Sequence, residues 1–219
     1  MSQRAVPDHQ IVEPTQHGFI STGMPPLLAR APEWAPEVDA RLARVGMWMW
    51  IGADVLFFAG WFFAFFYLRA LNNNHDWMGV GVIPPHRGIG AAIVLLVVIS
   101  AALYWVGASS VIKQSATGRT LLWLALVAGI LCFVVQIYEF KNLGFDPQLG
   151  GGYPSVFVGL KGAWLIQLVG AMLWLTSNIA QGRPGGDVTL RPASALIFGY
   201  FLAFLAGIGL ISYLVLYFI

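Results

Sequence analysis

Residues 45–68 read VGMWMWIGADVLFFAGWFFAFFYL, and Asp54 is the only charged residue among them. About 20 consecutive apolar residues suffice for a helix to cross the roughly 30 Å hydrocarbon core of a bilayer. A carboxylate at that depth costs about 2.5–3.5 kcal/mol on insertion scales, so it faces protein or water rather than lipid. The stretch therefore predicts a membrane-spanning helix that packs against other protein near Asp54.

Four further apolar stretches are long enough to span a bilayer. They are residues 89–112, 120–140, 156–180 and 194–219. Of the 219 residues, 58% are hydrophobic and 10% charged, which excludes an ordinary soluble domain. Long runs without two-residue alternation favour helices over a β-barrel. We predict an all-α fold in which residues 45–219 form a bundle of five transmembrane helices.

Basic residues fall mainly on one predicted side of the membrane. The N-terminal segment and the loops after the second and fourth spans hold Arg30, Arg41, Arg44, Lys113, Arg119, Arg183 and Arg191. The opposite loops hold Arg69, Arg87 and Lys141. Because cytoplasmic loops carry the excess of Lys and Arg, we expect a cytoplasmic N-terminus and, after five spans, an external C-terminus.

Residues 1–44 have a different composition, in which prolines are scattered among polar residues. This segment lacks the pattern of a secretory signal, so we expect a retained, polar, Pro-rich tail without a packed core. A helix that leads into the first span is expected to begin near Pro36, because a first-turn position does not need the missing N–H.

All four histidines lie outside the predicted spans. The four histidines, His9, His17, His75 and His86, are in the tail or in the first loop, so no span offers the imidazole that a haem or copper site within the membrane requires. His75, Asp76 and His86 either bind a metal at the outer surface or form ordinary loop or subunit contacts. The sequence shows no nucleophile beside a base. We expect no catalytic residue, no metal ligand and no nucleic-acid partner for this chain.

Two pairs of polar residues are predicted from depth in the membrane. At 1.5 Å of rise per residue, Asp54 lies about 14 Å from the cytoplasmic end of its span and Gln167 about 16 Å from the outer end of its own. We expect them to form a hydrogen bond in the bundle interior, where Asp54 either takes part in proton uptake or positions helices. Glu139 and Lys161 share a depth near the outer boundary and are predicted to form an ion pair.

Small and aromatic residues predict packing surfaces. Gly60 and Ala64 on the first span, and a second set on the fifth span, are expected to be buried where helices approach closely. That second set is Gly199, Ala203, Ala206 and Gly207. The aromatic residues of the first span are too numerous to be interfacial anchors alone, and they face lipid, another subunit, or a pigment or quinone.

Three strings together resemble one family. Asp54, Phe57 and Phe58, followed by residues 66–69 (FYLR), look like an acid, a phenylalanine pair and an aromatic run ending in Tyr-Leu-Arg. Residues 136–140 (QIYEF) are similar to Gln-x-Tyr-Glu-Tyr, and residues 153–157 (YPSVF) resemble Tyr-Gly-Ser-Val-Phe. In this order, over residues 45–180, the strings resemble subunit III of the haem-copper cytochrome c oxidases.

Departures from the family pattern are concentrated in the last two spans. Residues 161–167 (KGAWLIQ) stand where the family has Thr-Gly-Phe-His-Gly-Leu-His, so Gln167 replaces the second histidine. Residues 199–204 (GYFLAF) lack the His and Asp of the family's Tyr-Trp-His-Phe-Val-Asp. The chain resembles a divergent member of the shorter, five-helix bacterial form.

The resemblance implies a non-catalytic subunit in the inner (plasma) membrane of a bacterium. It would pack beside subunits I and II, which carry the haem and copper, and bind phospholipid between helices. The subunit would support sustained turnover and proton uptake by subunit I, and Asp54 would be the first position to test. Two alternatives stay open. One is a small transporter or channel subunit, although the chain lacks the repeat symmetry common in transporters. The other is a scaffold of a different respiratory or photosynthetic complex.

Overall fold

The computed structural model describes residues 36–71, 77–78, 81–113, 115–145, 151–181 and 192–219. Within these residues the fold is all-helical, with five helices long and apolar enough to cross a membrane. The predicted five-helix transmembrane architecture is confirmed for this part of the chain. The first 35 residues of the predicted tail lie outside the described residues.

The five helices extend beyond the predicted spans at most ends. Their bounds are α1 Pro36–Ala70, α2 Arg87–Ile112, α3 Ala116–Lys141, α4 Gly152–Gln181 and α5 Pro192–Phe218. Residues 36–44, which composition placed in the tail, belong to α1, and the predicted helix start near Pro36 is confirmed. Helices α1 and α5 begin with proline, which suits the first helical position. Helix α2 begins with a side-chain cap instead. In that cap, the Nδ1 atom of His86 accepts the backbone N–H of Gly88 at 3.1 Å.

The helices α2, α3, α4 and α5 form a closed ring, and α1 lies outside it. α2 packs on α3, α3 on α4, α4 on α5, and α5 on α2, whereas α1 packs on α4 and α5. As a result, α1 is the least covered helix. In the most apolar part of α1, 11% of the residues are buried, whereas 39–56% are buried in the corresponding parts of the other four helices.

The α2–α3 hairpin depends on two glycines. A Cβ atom built on Gly118 would lie 2.5 Å from the backbone nitrogen of Val111, and one built on Gly107 would lie 3.0 Å from the Cβ atom of Leu121. Glycine permits this backbone approach, as small residues do where membrane helices pack closely.

Small residues on α5 mediate packing at only part of the predicted face. Gly199 is buried against the Trp105 ring and Ala206 is buried, but Ala203 and Gly207 are exposed, so the prediction is wrong for those two residues. Gly207 lies about two and a half turns beyond the fully buried Phe198, which places it on the opposite side of the helix.

The small residues of α1 are likewise not its packing face. Gly60 is exposed, with no atom within 4 Å of the point that a Cβ atom would occupy, and Ala64 is only partly buried, so the predicted burial of this pair is wrong. The buried residues are instead the large side chains of Met47, Phe58 and Phe65. They are spaced by about three turns and two turns, and this narrow stripe rests on α4 and α5.

Replacing Gly118 by alanine tests the hairpin. We expect Gly118→Ala to lower the free energy of unfolding by about 1–3 kcal/mol, because the added methyl group meets backbone atoms that cannot rotate away. Denaturation of the detergent-solubilised protein, followed by circular dichroism, measures the change. Gly60→Ala is the matched control and should cause no loss of stability, because its Cβ enters open space. Equal stability of the two variants would contradict the assigned contact.

Candidate functional site

The predicted pair Glu139 and Lys161 is present and deeply buried. The Nζ atom of Lys161 lies 3.7 Å from Oε2 of Glu139, and the two side chains are 4% and 2% exposed. α3 contributes the carboxylate near its C-terminal end, and α4 contributes the ammonium group in its third turn. An ion pair without access to water is costly unless further hydrogen bonds satisfy both charges.

Those hydrogen bonds come from two neighbouring side chains. Gln136 donates from Nε2 to Oε2 of Glu139 at 2.7 Å, and its Oε1 atom accepts from Lys161 at 3.4 Å. Tyr217 of α5 donates its hydroxyl proton to Oε1 of Glu139. Both carboxylate oxygens therefore have donors. The result is a four-residue cluster, Gln136–Glu139–Lys161–Tyr217, that ties α3, α4 and α5 together.

Aromatic rings close this cluster from its surroundings. The ammonium group of Lys161 lies 5.2 Å from the Tyr217 ring centroid and 6.0 Å from that of Phe157, within the range of cation–π attraction. Tyr153 donates its hydroxyl proton to the backbone oxygen of Leu216 at 2.9 Å, which fixes the end of α5 against the start of α4. The cluster is a satisfied, enclosed clamp between helices.

The predicted contact between Asp54 and Gln167 is also present. Gln167 donates from Nε2 to Oδ1 of Asp54 at 3.0 Å. The expected position in the bundle interior is wrong, because both residues are only partly buried. The reason is that α1 lies outside the helix ring, so its contact with α4 is at the edge of the bundle.

Trp50 also hydrogen-bonds Asp54, a contact that was not predicted. Its indole Nε1 donates to Oδ2 of Asp54 at 2.9 Å. The spacing of four residues, which places side chains on one helix face, is the signal that could have identified it. Asp54 thus has one donor on each oxygen, while Oε1 of Gln167 is buried without a hydrogen-bond partner.

A second group of buried polar residues connects the helices at the end of the bundle opposite the Glu139 cluster. Asn178, fully buried on α4, donates from Nδ2 to the Tyr104 hydroxyl at 3.3 Å, and that hydroxyl donates to the backbone oxygen of Ala195 at 2.9 Å. Sequence reasoning missed this group, because a single asparagine near a helix end gives no sign of its burial. The contact links α2, α4 and α5.

The possible metal site of the first loop lies mainly outside the described residues. His75 and Asp76 are not described, and the Nδ1 atom of His86 is occupied as a helix cap. In the ranges that the structure describes, no group of three His, Cys, Asp or Glu residues is arranged to hold a metal ion.

No protein-family model matches the chain, and no curated protein matches it. Function is therefore inferred from the residues and their geometry.

Removing one partner of the buried ion pair tests the clamp. We expect Lys161→Met to lower the free energy of unfolding by about 3–5 kcal/mol, since the Glu139 carboxylate is left buried without its counter-charge. The double variant Glu139→Gln, Lys161→Met should recover most of this loss, because no charge remains. Denaturant titration of the three proteins in detergent measures the coupling. A double variant no more stable than the single one would contradict a cost that arises from buried charge.

Proposed function

We propose that this chain is a non-catalytic integral membrane subunit of a haem-copper terminal oxidase, of the subunit III type. The observation that carries the proposal is the Asp54–Gln167 hydrogen bond across 113 residues of sequence. Asp54 stands at the acidic position of the first family-like string. Gln167 replaces the second histidine of the family segment that corresponds to residues 161–167. Contact between two positions that the resemblance singles out supports the alignment of this chain with the family.

Residues next to the first two family-like strings meet the third one at one end of the helices. Phe145, in the loop that follows residues 136–140, has its ring centroid 6.2 Å from that of Tyr153 and 5.9 Å from that of Phe157. Trp77 bridges Tyr153 and Phe65 at centroid distances of 5.9 and 5.0 Å. This aromatic layer joins segments that resemble consecutive parts of subunit III, which again supports the proposal.

In this role the chain supports its partners and performs no redox step. The haem and copper belong to subunits I and II, and the outward faces of the helices contact those subunits and phospholipid. The distribution of basic residues favours a cytoplasmic N-terminus, and the complex lies in the inner membrane of a bacterium. The subunit supports proton uptake by subunit I, and Asp54, which departs from the usual Glu, is the first position to test because it lies at the edge of the helix ring.

The geometry weighs against the alternative of a transporter or channel subunit. Glu139 and Lys161 satisfy one another inside an enclosed cluster, so they do not line an open path. Asp54 and Gln167 lie at the edge of the helix ring rather than within it.

Purification of the tagged chain from native membranes in mild detergent tests the proposed function. We expect it to co-migrate with haem- and copper-bearing proteins. Asp54→Ala should leave the haem content per complex unchanged but cause oxidase activity to decline several-fold faster during turnover, because the subunit is held less firmly. Absorption spectra and oxygen consumption measure the two quantities.

Leu124→Ala is the control for this experiment, since Leu124 is an exposed apolar residue of α3. It should retain both haem and durable activity. A colourless homo-oligomer, or an Asp54→Ala complex that has lost its haem, would contradict the proposal.

A further inference from the structure

Asp54 presents an incompletely bonded carboxylate at the middle of a membrane-spanning helix. It lies ten residues beyond Arg44, about 15 Å along the axis, and farther still from Arg69. A carboxylate can accept about four hydrogen bonds, and Trp50 and Gln167 supply one each. The side chain is partly exposed, so part of the carboxylate is accessible to whatever covers α1.

Lipid does not supply the hydrogen-bond donors that Asp54 lacks. Acyl chains have no hydrogen-bond donors, and headgroups stay near the ends of the helix, about 15 Å from the carboxylate. A charged group left against hydrocarbon is strongly disfavoured, so such residues face protein or water. The exposed rings of Trp50 and Phe57 make the surface around Asp54 apolar, which favours protein over a water-filled path. The occupant of this position is therefore a protein helix that brings a donor.

A second copy of this chain, packed about a two-fold axis along α1, does not supply such a donor either. Between Arg44 and Arg69, Asp54 is the only charged residue of α1. In a two-fold interface the same patch of each subunit meets, so packing centred on α1 would bring the two Asp54 carboxylates together. Like charges in a medium of low dielectric constant repel strongly.

The surface beside Asp54 is open to a helix. Gly60 has open space where a Cβ atom would lie, and Ala53, one heptad earlier, is exposed on the same side. Trp50 and Phe57 flank the carboxylate one turn to either side, with 61% and 47% of their surfaces exposed. Small residues permit close backbone approach, and the two rings provide apolar contact area.

We propose that this side of α1, formed by Trp50, Ala53, Phe57 and Gly60, docks a transmembrane helix of a partner chain whose Lys or Arg side chain pairs with Asp54. The proposal rests on the proposed function only for the identity of the partner, which is then a subunit of the oxidase. Charge complementarity at mid-membrane depth defines the partner, and the adjacent small residues define where its backbone passes.

Gly60→Leu tests the docking surface in the complete complex purified from membranes. The new side chain enters open space in this chain but occupies the path of the partner helix. We expect at least a tenfold loss of the co-purified partner. Gly207→Leu is the matched control, because Gly207 is an exposed glycine with equal space on α5, and it should retain the partner. Equal retention by the two variants would overturn the proposal.

Photo-crosslinking identifies the occupant. With Phe57→benzoylphenylalanine, we expect a crosslinked partner peptide from an apolar segment that carries a Lys or Arg within about one turn of the attachment point. The same residue introduced by Leu124→benzoylphenylalanine, on the exposed side of α3, should give at least tenfold less of that peptide. Adducts at position 57 with lipid only, with a second copy of this chain, or with a helix that lacks a basic residue would overturn the proposal.

The two proposals can fail separately. If a basic partner helix is captured at position 57 but the complex contains no haem or copper, the oxidase function fails and the docking surface stands. If haem and copper proteins co-purify while position 57 gives only lipid adducts, the docking surface fails and the function stands.

Discussion

Two opposite charges enclosed between α3 and α4 constrain how the other helices of the ring pack. Glu139 and Lys161 tolerate burial only because Gln136 and Tyr217 complete their hydrogen bonds, and Tyr217 comes from the last turn of α5. A rotation of any of these helices by one residue would leave a charge without its partner. The cluster therefore determines rotation and register, which apolar side chains alone specify weakly in a lipid environment.

The Glu139 and Asp54 sites differ in how completely they are satisfied, and this difference separates their roles. The Glu139 cluster is closed by its own aromatic shell and stabilises the fold. The Asp54 site has one donor on each oxygen, lies at the edge of the bundle and is continuous with an exposed apolar side of α1. The proposed partner helix would supply the hydrogen-bond donors that this carboxylate still lacks.

Hydropathy predicted the number and type of helices, because twenty apolar residues have few alternatives in a bilayer. The depth of each residue in the membrane, calculated from the rise per helical residue, predicted the contacts of Asp54 with Gln167 and of Glu139 with Lys161. This is possible because each span places its residues at defined depths. Rotation about each helix axis was not predictable: all sides of a span are apolar, so the sequence does not distinguish the exposed Gly207 from the buried Gly199. Neighbour relations between helices, which leave α1 at the edge, depend on packing that no local pattern encodes.

The position of α1 has a consequence for biogenesis. Its packing partners, α4 and α5, are translated after it, and Gln167 follows Asp54 by 113 residues. At about 5–20 residues per second, the ribosome needs roughly 6–23 s to supply that donor. Trp50 is on the same helix and reaches the carboxylate as soon as α1 forms. The Trp50 indole thus supplies a hydrogen bond to the Asp54 carboxylate during the interval before Gln167 has been synthesised.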